Sequence, residues 1–167
     1  MSLRGNDLKE FAENLFDEYK SWLLKVIPSL TGYSWRIDGV NFEIESGNDH
    51  WSTCGNTILI GKGSEKEEEK VFSSVVHEMI HINTIPHLRD FDEMNSNDLK
   101  ATEIATCILT NLVVVKFNDT FNSSYKLQGF DVDYREFQDG EDELLKLYSE
   151  SKNFKDFKDG IIEEIFS

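Results

Sequence analysis

Along the first part of the chain, apolar residues recur every three or four positions: Leu8, Phe11, Ala12, Leu15, Phe16, Tyr19, Trp22, Leu23 and Val26. That period predicts an amphipathic helix with one face on a core, and Pro28 marks its expected end. Over 33–45 the pattern shifts toward alternation, and Asp38-Gly39 predicts a hairpin between strands at 34–37 and 40–45. A loop rich in Gly, Asn and Asp follows. Residues 56–61 (NTILIG) then read as a short β-branched strand, broken by Gly61-Lys62-Gly63. Ser64 and Glu67 have the spacing of a capping box, which predicts a helix from about Glu65 to about Asn83, before Pro86. Its acidic first turn suits the positive end of a helix dipole. Ser96-Asn97-Asp98 offer caps for another helix, from Asp98 to about Lys116. An irregular Asn/Ser/Gly-rich stretch leads to two short helices at about 141–151 and 154–166. No repeat or linker divides the chain, so the expectation is one α+β domain over 1–167.

The second of these helices carries His77-Glu78-Met79-Ile80-His81, an H-E-x-x-H pattern. Residues four apart share a helix face at roughly 6 Å, so both imidazoles can reach one zinc ion. Glu78 then stands beside them, placed to take a proton from an activated water. A chain of this composition would spell the pattern by chance roughly one time in a hundred, so its surroundings must decide. Two histidines and a glutamate on a solvated face would have polar neighbours. Here the neighbours are Val75, Val76, Met79, Ile80 and Ile82. Burying His and Glu among them is costly without a partner, and a metal is such a partner.

Catalytic zinc takes three protein ligands and keeps one position open. Two residues compete for the third place. Glu103 is the lone charge in ATEIATCILTNLVVV (101–115), where burial would demand a cation or a proton on the carboxyl. His87 completes H-E-x-x-H-x-x-x-x-x-H, the three-histidine spacing of metzincins. Those proteins place glycine where this chain has Thr84, so that the backbone can turn sharply, and a β-branched Thr suits positive φ poorly. Asn83 could take that conformation one residue early. Met94, seven residues past His87, is close for a Met-turn. The backbone argument favours Glu103 and leaves His87 as the alternative ligand.

With NTILIG before the motif helix, His77-Glu78-x-x-His81 on it and Glu103 on the next, the chain resembles a compact gluzincin-type zinc metallopeptidase. ImmA/IrrE-like and other minimal zincins share that order. The resemblance spans about a third of the chain, and H-E-x-x-H is its only specific element. It implies a zincin-like fold with helices against a small twisted sheet, whose edge strand, here 56–61, lines the cleft and pairs with an extended peptide. It also implies one Zn2+ per chain and hydrolysis of a peptide or protein substrate, with Glu78 as general base. Tyr125, Tyr134 and, if it is not a ligand, His87 are candidates to stabilise the oxyanion. The helical domain that carries substrate-binding groups in thermolysin-like enzymes has no counterpart here.

Composition narrows the alternatives. With 12 Phe, 3 Trp and 5 Tyr the chain can fill a core. A net charge of −15 repels phosphate backbones and argues against nucleic acid as a partner, while favouring basic or neutral ligands. No apolar run approaches the roughly 20 residues of a membrane span. The start lacks a signal-peptide core, and Met1-Ser2-Leu3 is set aside from the fold. Cys54 and Cys107, without C-x-x-C spacing, fit two buried thiols in a reducing, cytoplasmic setting. Two other functions stay open: a regulatory zincin-like module that binds metal without catalysis, and an acidic protein that binds basic partners. Cobalt, nickel or iron would also suit two imidazoles and a carboxylate.

Overall fold

The computed structural model describes residues 1–88, 93–129 and 140–166. Its elements run β1 (Ser2–Arg4), α1 (Gly5–Thr31), β2 (Asn41–Glu45), β3 (Trp51–Cys54), β4 (Thr57–Gly61), β5 (Glu65–Glu67), α2 (Glu68–Thr84), α3 (Ser96–Phe121), α4 (Glu141–Glu150) and α5 (Phe154–Ile161). A 3-10 turn at Ile85–His87 follows α2, and a π-helical turn at Ile162–Phe166 extends α5. The architecture is α+β, as expected.

At the centre lies α2, buried at every position over 71–84. It packs against α1, α3 and the sheet, and one contiguous apolar cluster joins Leu8, Leu23 and Ile27 of α1 to Ile58 and Ile60 of β4 and Phe117 of α3. A helix enclosed on all sides buries its polar residues too, among them Ser73, His77, Glu78, His81 and Asn83, and each of these must be matched from within the protein.

The α1 helix does not stop at Pro28. It continues to Thr31, with Pro28 inside its last turns. Proline leaves the carbonyl four residues earlier without its helical donor, and the Trp35 indole N–H donates to Leu24 O at 2.9 Å in its place. The true stop is Gly32, at φ 75°, whose N–H reaches Pro28 O at 3.0 Å. A Cβ there would also meet Asn153 Cβ at 2.9 Å, so both conformation and space require glycine.

The expected hairpin at Asp38-Gly39 does not form. Residues 34–37 are not a strand, and β2 instead pairs in parallel with β4, Phe42 opposite Ile58 and Ile44 opposite Ile60. β3 pairs antiparallel with the other side of β4, giving the order β2-β4-β3. NTILIG is therefore the central strand, and the edge nearest α2 belongs to β3. This corrects the assignment of 56–61 as the edge. Among the described residues, the outer side of β3 has no strand partner.

The capping box is also absent. The Ser64 hydroxyl donates to Asp49 O at 2.7 Å, and 65–67 form β5, antiparallel to β1. So α2 begins at Glu68, and the first residues of the chain belong to the fold after all. Asn95, ahead of the three expected caps, closes the start of α3 by accepting from the Asn97 and Asp98 amides at 2.9 and 3.0 Å. Cys107 is buried, as expected, but Cys54 is exposed. No helix of the described residues is long and apolar enough to cross a membrane.

Candidate metal centre

His77 and His81 lie on one face of α2 with their Nε2 atoms 3.0 Å apart. Glu103, on the facing turn of α3, brings Oε2 to 3.3 Å from His77 Nε2 and Oε1 to 3.0 Å from His81 Nε2. Two ligands bound at 2.0–2.1 Å in a tetrahedral site lie roughly 3.3 Å apart. The two Nε2 atoms thus stand near that spacing, each Glu103 oxygen lies near it from one of the histidines, and one donor atom from each residue can be taken with all three within 4.8 Å. They are the group among the described residues that could hold a metal ion.

The electrostatics agree. His77, Glu78 and His81 are 7, 6 and 8% exposed, whereas the side chain of Glu103 is 42% exposed at the rim. The burial expected of Glu103 is therefore only partial. Burial alone would raise its carboxyl, but the His77 and His81 imidazoles hold it well below the usual carboxylate range. Desolvation pushes Glu78 up to about 7, with His77 opposing the rise and the Glu103 charge adding to it.

A second layer orients His77. Its Nδ1 lies 2.8 Å from Gln128 Oε1; with the proton on Nδ1, the imidazole donates to Gln128 and presents the Nε2 lone pair to the cleft. Gln128 is itself clamped by Asn111. The Asn111 amide donates to Gln128 O at 3.1 Å, and the Gln128 N–H donates to Asn111 Oδ1 at 2.8 Å. Two turns along α3, Asn118 holds Tyr125 by the same reciprocal pair of bonds. The Lys126 N–H adds a bond to Glu69 O at 2.9 Å on α2. The segment 123–129 is thus fastened to both helices. By contrast, His81 Nδ1 is buried with no hydrogen-bond partner among the described residues.

No family model, curated protein or solved structure matches the chain. The centre therefore stands on its own geometry.

Of the other expected site residues, His87 lies elsewhere. Thr84 and Ile85 keep right-handed helical backbone, so the chain makes no sharp return. His87 instead stacks on Tyr33 at 4.3 Å, with Nε2 3.0 Å from Ser34 O. Tyr125 is also remote. It stacks on Phe72, more than a turn before His77, and contacts Phe117. Tyr134 lies outside the described residues.

Two cavities meet at the triad. One, of about 280 Å³, runs between β3 and α2, lined by Trp51, Ser52, Thr53, His81 and Ile85. The other, of about 450 Å³, is walled by Lys66, Ser74, Cys107 and Gln128, and it shares Trp51, His77, Glu78 and Glu103 with the first. Sequence patterning did not single out Trp51, Lys66, Asn111 or Gln128. One signal was present for Asn111: it follows Glu103 by eight residues in an apolar helix, and hence lies on the same face.

Proposed function

We propose that the chain is a zinc-dependent peptide hydrolase of gluzincin-like design, with one ion held by His77, His81 and Glu103. The observation that carries this reading is the convergence of two imidazole Nε2 atoms 3.0 Å apart and the Glu103 carboxylate, with one donor atom from each residue all within 4.8 Å, beside the buried carboxyl of Glu78. When bound, zinc would polarise the scissile carbonyl and bring the pKa of water toward ~7. Glu78 accepts the proton of the attacking water and returns it to the leaving amine, a shuttle suited to a carboxyl held near neutrality by burial. The outer edge of β3, which has no strand partner among the described residues, offers backbone donors and acceptors to an extended peptide in the cleft between β3 and α2. Gln128 keeps the His77 ring in its tautomer and plane.

The deciding experiment is metal content by plasma mass spectrometry on protein purified without chelator, paired with digestion of a broad peptide library. The expected result is about one zinc per chain, and cleavage that Glu78→Gln abolishes while zinc stays bound. Absence of metal, even after zinc is added, sinks the reading. A second reading, a module that holds metal without catalysis, draws on the remoteness of His87 and Tyr125 from the cleft. Tight zinc with no cleavage of any library peptide would favour it.

A further inference from the structure

Lys66 is out of place for a lysine of so acidic a chain. With 32 Asp and Glu against 17 Lys and Arg, cations here find carboxylates readily. The neighbours of Lys66 are taken: Glu65 pairs with Arg4, and Glu67 pairs with Lys70. Strand alternation along β5 sends those two glutamates to one face and Lys66 to the other. On that face it meets no described carboxylate within ion-pair distance of 4.0 Å. Its ammonium rests instead above the Trp51 ring, 5.5 Å from the centroid, and forms part of the wall of the 450 Å³ cavity shared with His77, Glu78 and Glu103. Burial lowers its pKa, and the Glu78 charge counters that shift. Lys66 is thus a half-desolvated cation on the cavity wall, with no carboxylate of the described residues within ion-pair distance. A long-range field of −15 favours basic or neutral ligands, but at this one point the cleft presents the opposite sign.

We propose that Lys66 is the recognition cation of the cleft and receives a carboxylate of the bound peptide, from its free C-terminus or from an acidic side chain near the scissile bond. The assignment rests on the hydrolase reading for its substrate, but not on it for its test. Trp51 lies under the ammonium and reports on ligands there without any turnover.

The experiment titrates three peptides, acetyl-Ala-Ala-Ala with a free C-terminus, its amide, and the amide of acetyl-Ala-Glu-Ala, against the full chain with zinc and with chelator. Tryptophan emission is the readout, with Trp51→Phe as the reporter control. The carboxylate that fits should bind about tenfold more tightly than the neutral amide, as a charge-assisted hydrogen bond provides. Lys66→Arg should keep that preference, and Lys66→Met, which retains an unbranched apolar stem over Trp51, should erase it. Preference for the free C-terminus identifies end-trimming, and preference for the Glu peptide identifies internal acidic sites. Equal affinity for all three peptides, or a preference that survives in Lys66→Met, overturns the assignment. Library digestion separates the two readings. Carboxylate preference without cleavage leaves Lys66 a ligand site and removes the hydrolase. Cleavage indifferent to carboxylates leaves the hydrolase and removes Lys66 from recognition.

Discussion

Gln128 and Glu103 affect the centre by different means, and single substitutions separate them. Gln128 touches only the far nitrogen of His77, so Gln128→Leu should leave all three donors present but loosely aimed. Outer partners of this kind are worth about 10–100-fold in metal affinity, and competition against a chromophoric chelator would register that loss. Asn111→Ala should weaken binding in the same direction by releasing the Gln128 backbone. Glu103→Gln removes a charged donor and should cost more than either, whereas His87→Ala should leave affinity unchanged. An unaltered affinity in Glu103→Gln would assign the third ligand elsewhere. The difference in legibility has a physical basis. Histidines four apart on a helix announce themselves, as does a lone carboxylate in an apolar run. Thr84 made His87 a poor third ligand on backbone grounds, and the helical backbone at 84–85 agrees. Gln128 carries no such mark, because its place depends on long-range clamps from Asn111 and Asn118 rather than on local periodicity.

At the scale of elements, periodic helices were legible and locally encoded turns were not. Asp38-Gly39 has hairpin chemistry, yet the pairing of Phe42 and Ile44 with Ile58 and Ile60 in parallel wins, because it seats a strand on the buried face of β4. Ser64 has capping chemistry, yet Asp49 takes its hydroxyl and β1 takes the next three residues. In both cases tertiary pairing overrides a signal of only a few residues. The packing of α5 gives a test at this level. Lys158 is 5% exposed and reaches Asp98, in the first turn of α3, at 2.9 Å and Asp159 at 2.9 Å. Burial alone would lower the pKa of Lys158, but hydrogen bonds to Asp159 and Asp98 raise it above the ordinary lysine value. A raised lysine contributes stability that is complete below its unfolded-state pKa and fades as pH climbs through the folded-state value. Lys158→Met should therefore cost about 2 kcal/mol near neutrality, between the worth of an exposed pair and that of a fully buried one. Urea unfolding of the two proteins should converge at strongly alkaline pH. A gap that stays constant through that range would mean that packing, not charge, sets the effect of Lys158.

For the whole molecule, the centre joins two helices that pack against each other. His77 and His81 come from α2, and Glu103 comes from α3. Between them lie 21 residues, from His81 to Glu103, including a stretch outside the described residues, so an ion bridging them closes a loop as well as filling a site. A ligand that binds only the folded chain stabilises it in proportion to the logarithm of its concentration over its dissociation constant. Free zinc at a hundredfold excess over that constant supplies about 2.7 kcal/mol, which for a chain of this size raises Tm by roughly 5–10 °C. Chelator should return Tm to the metal-free value, since the apolar cluster from Leu8 to Phe157 does not depend on the ion. The control is the pair His77→Ala and His81→Ala. Binding at scattered acidic groups of a −15 chain would raise Tm equally in that variant. Binding at the centre would leave the variant flat across the same titration. A wild-type curve that is also flat would mean that the two helices hold these three residues together by packing alone, and that the convergence of their donor atoms within 4.8 Å is not a metal site.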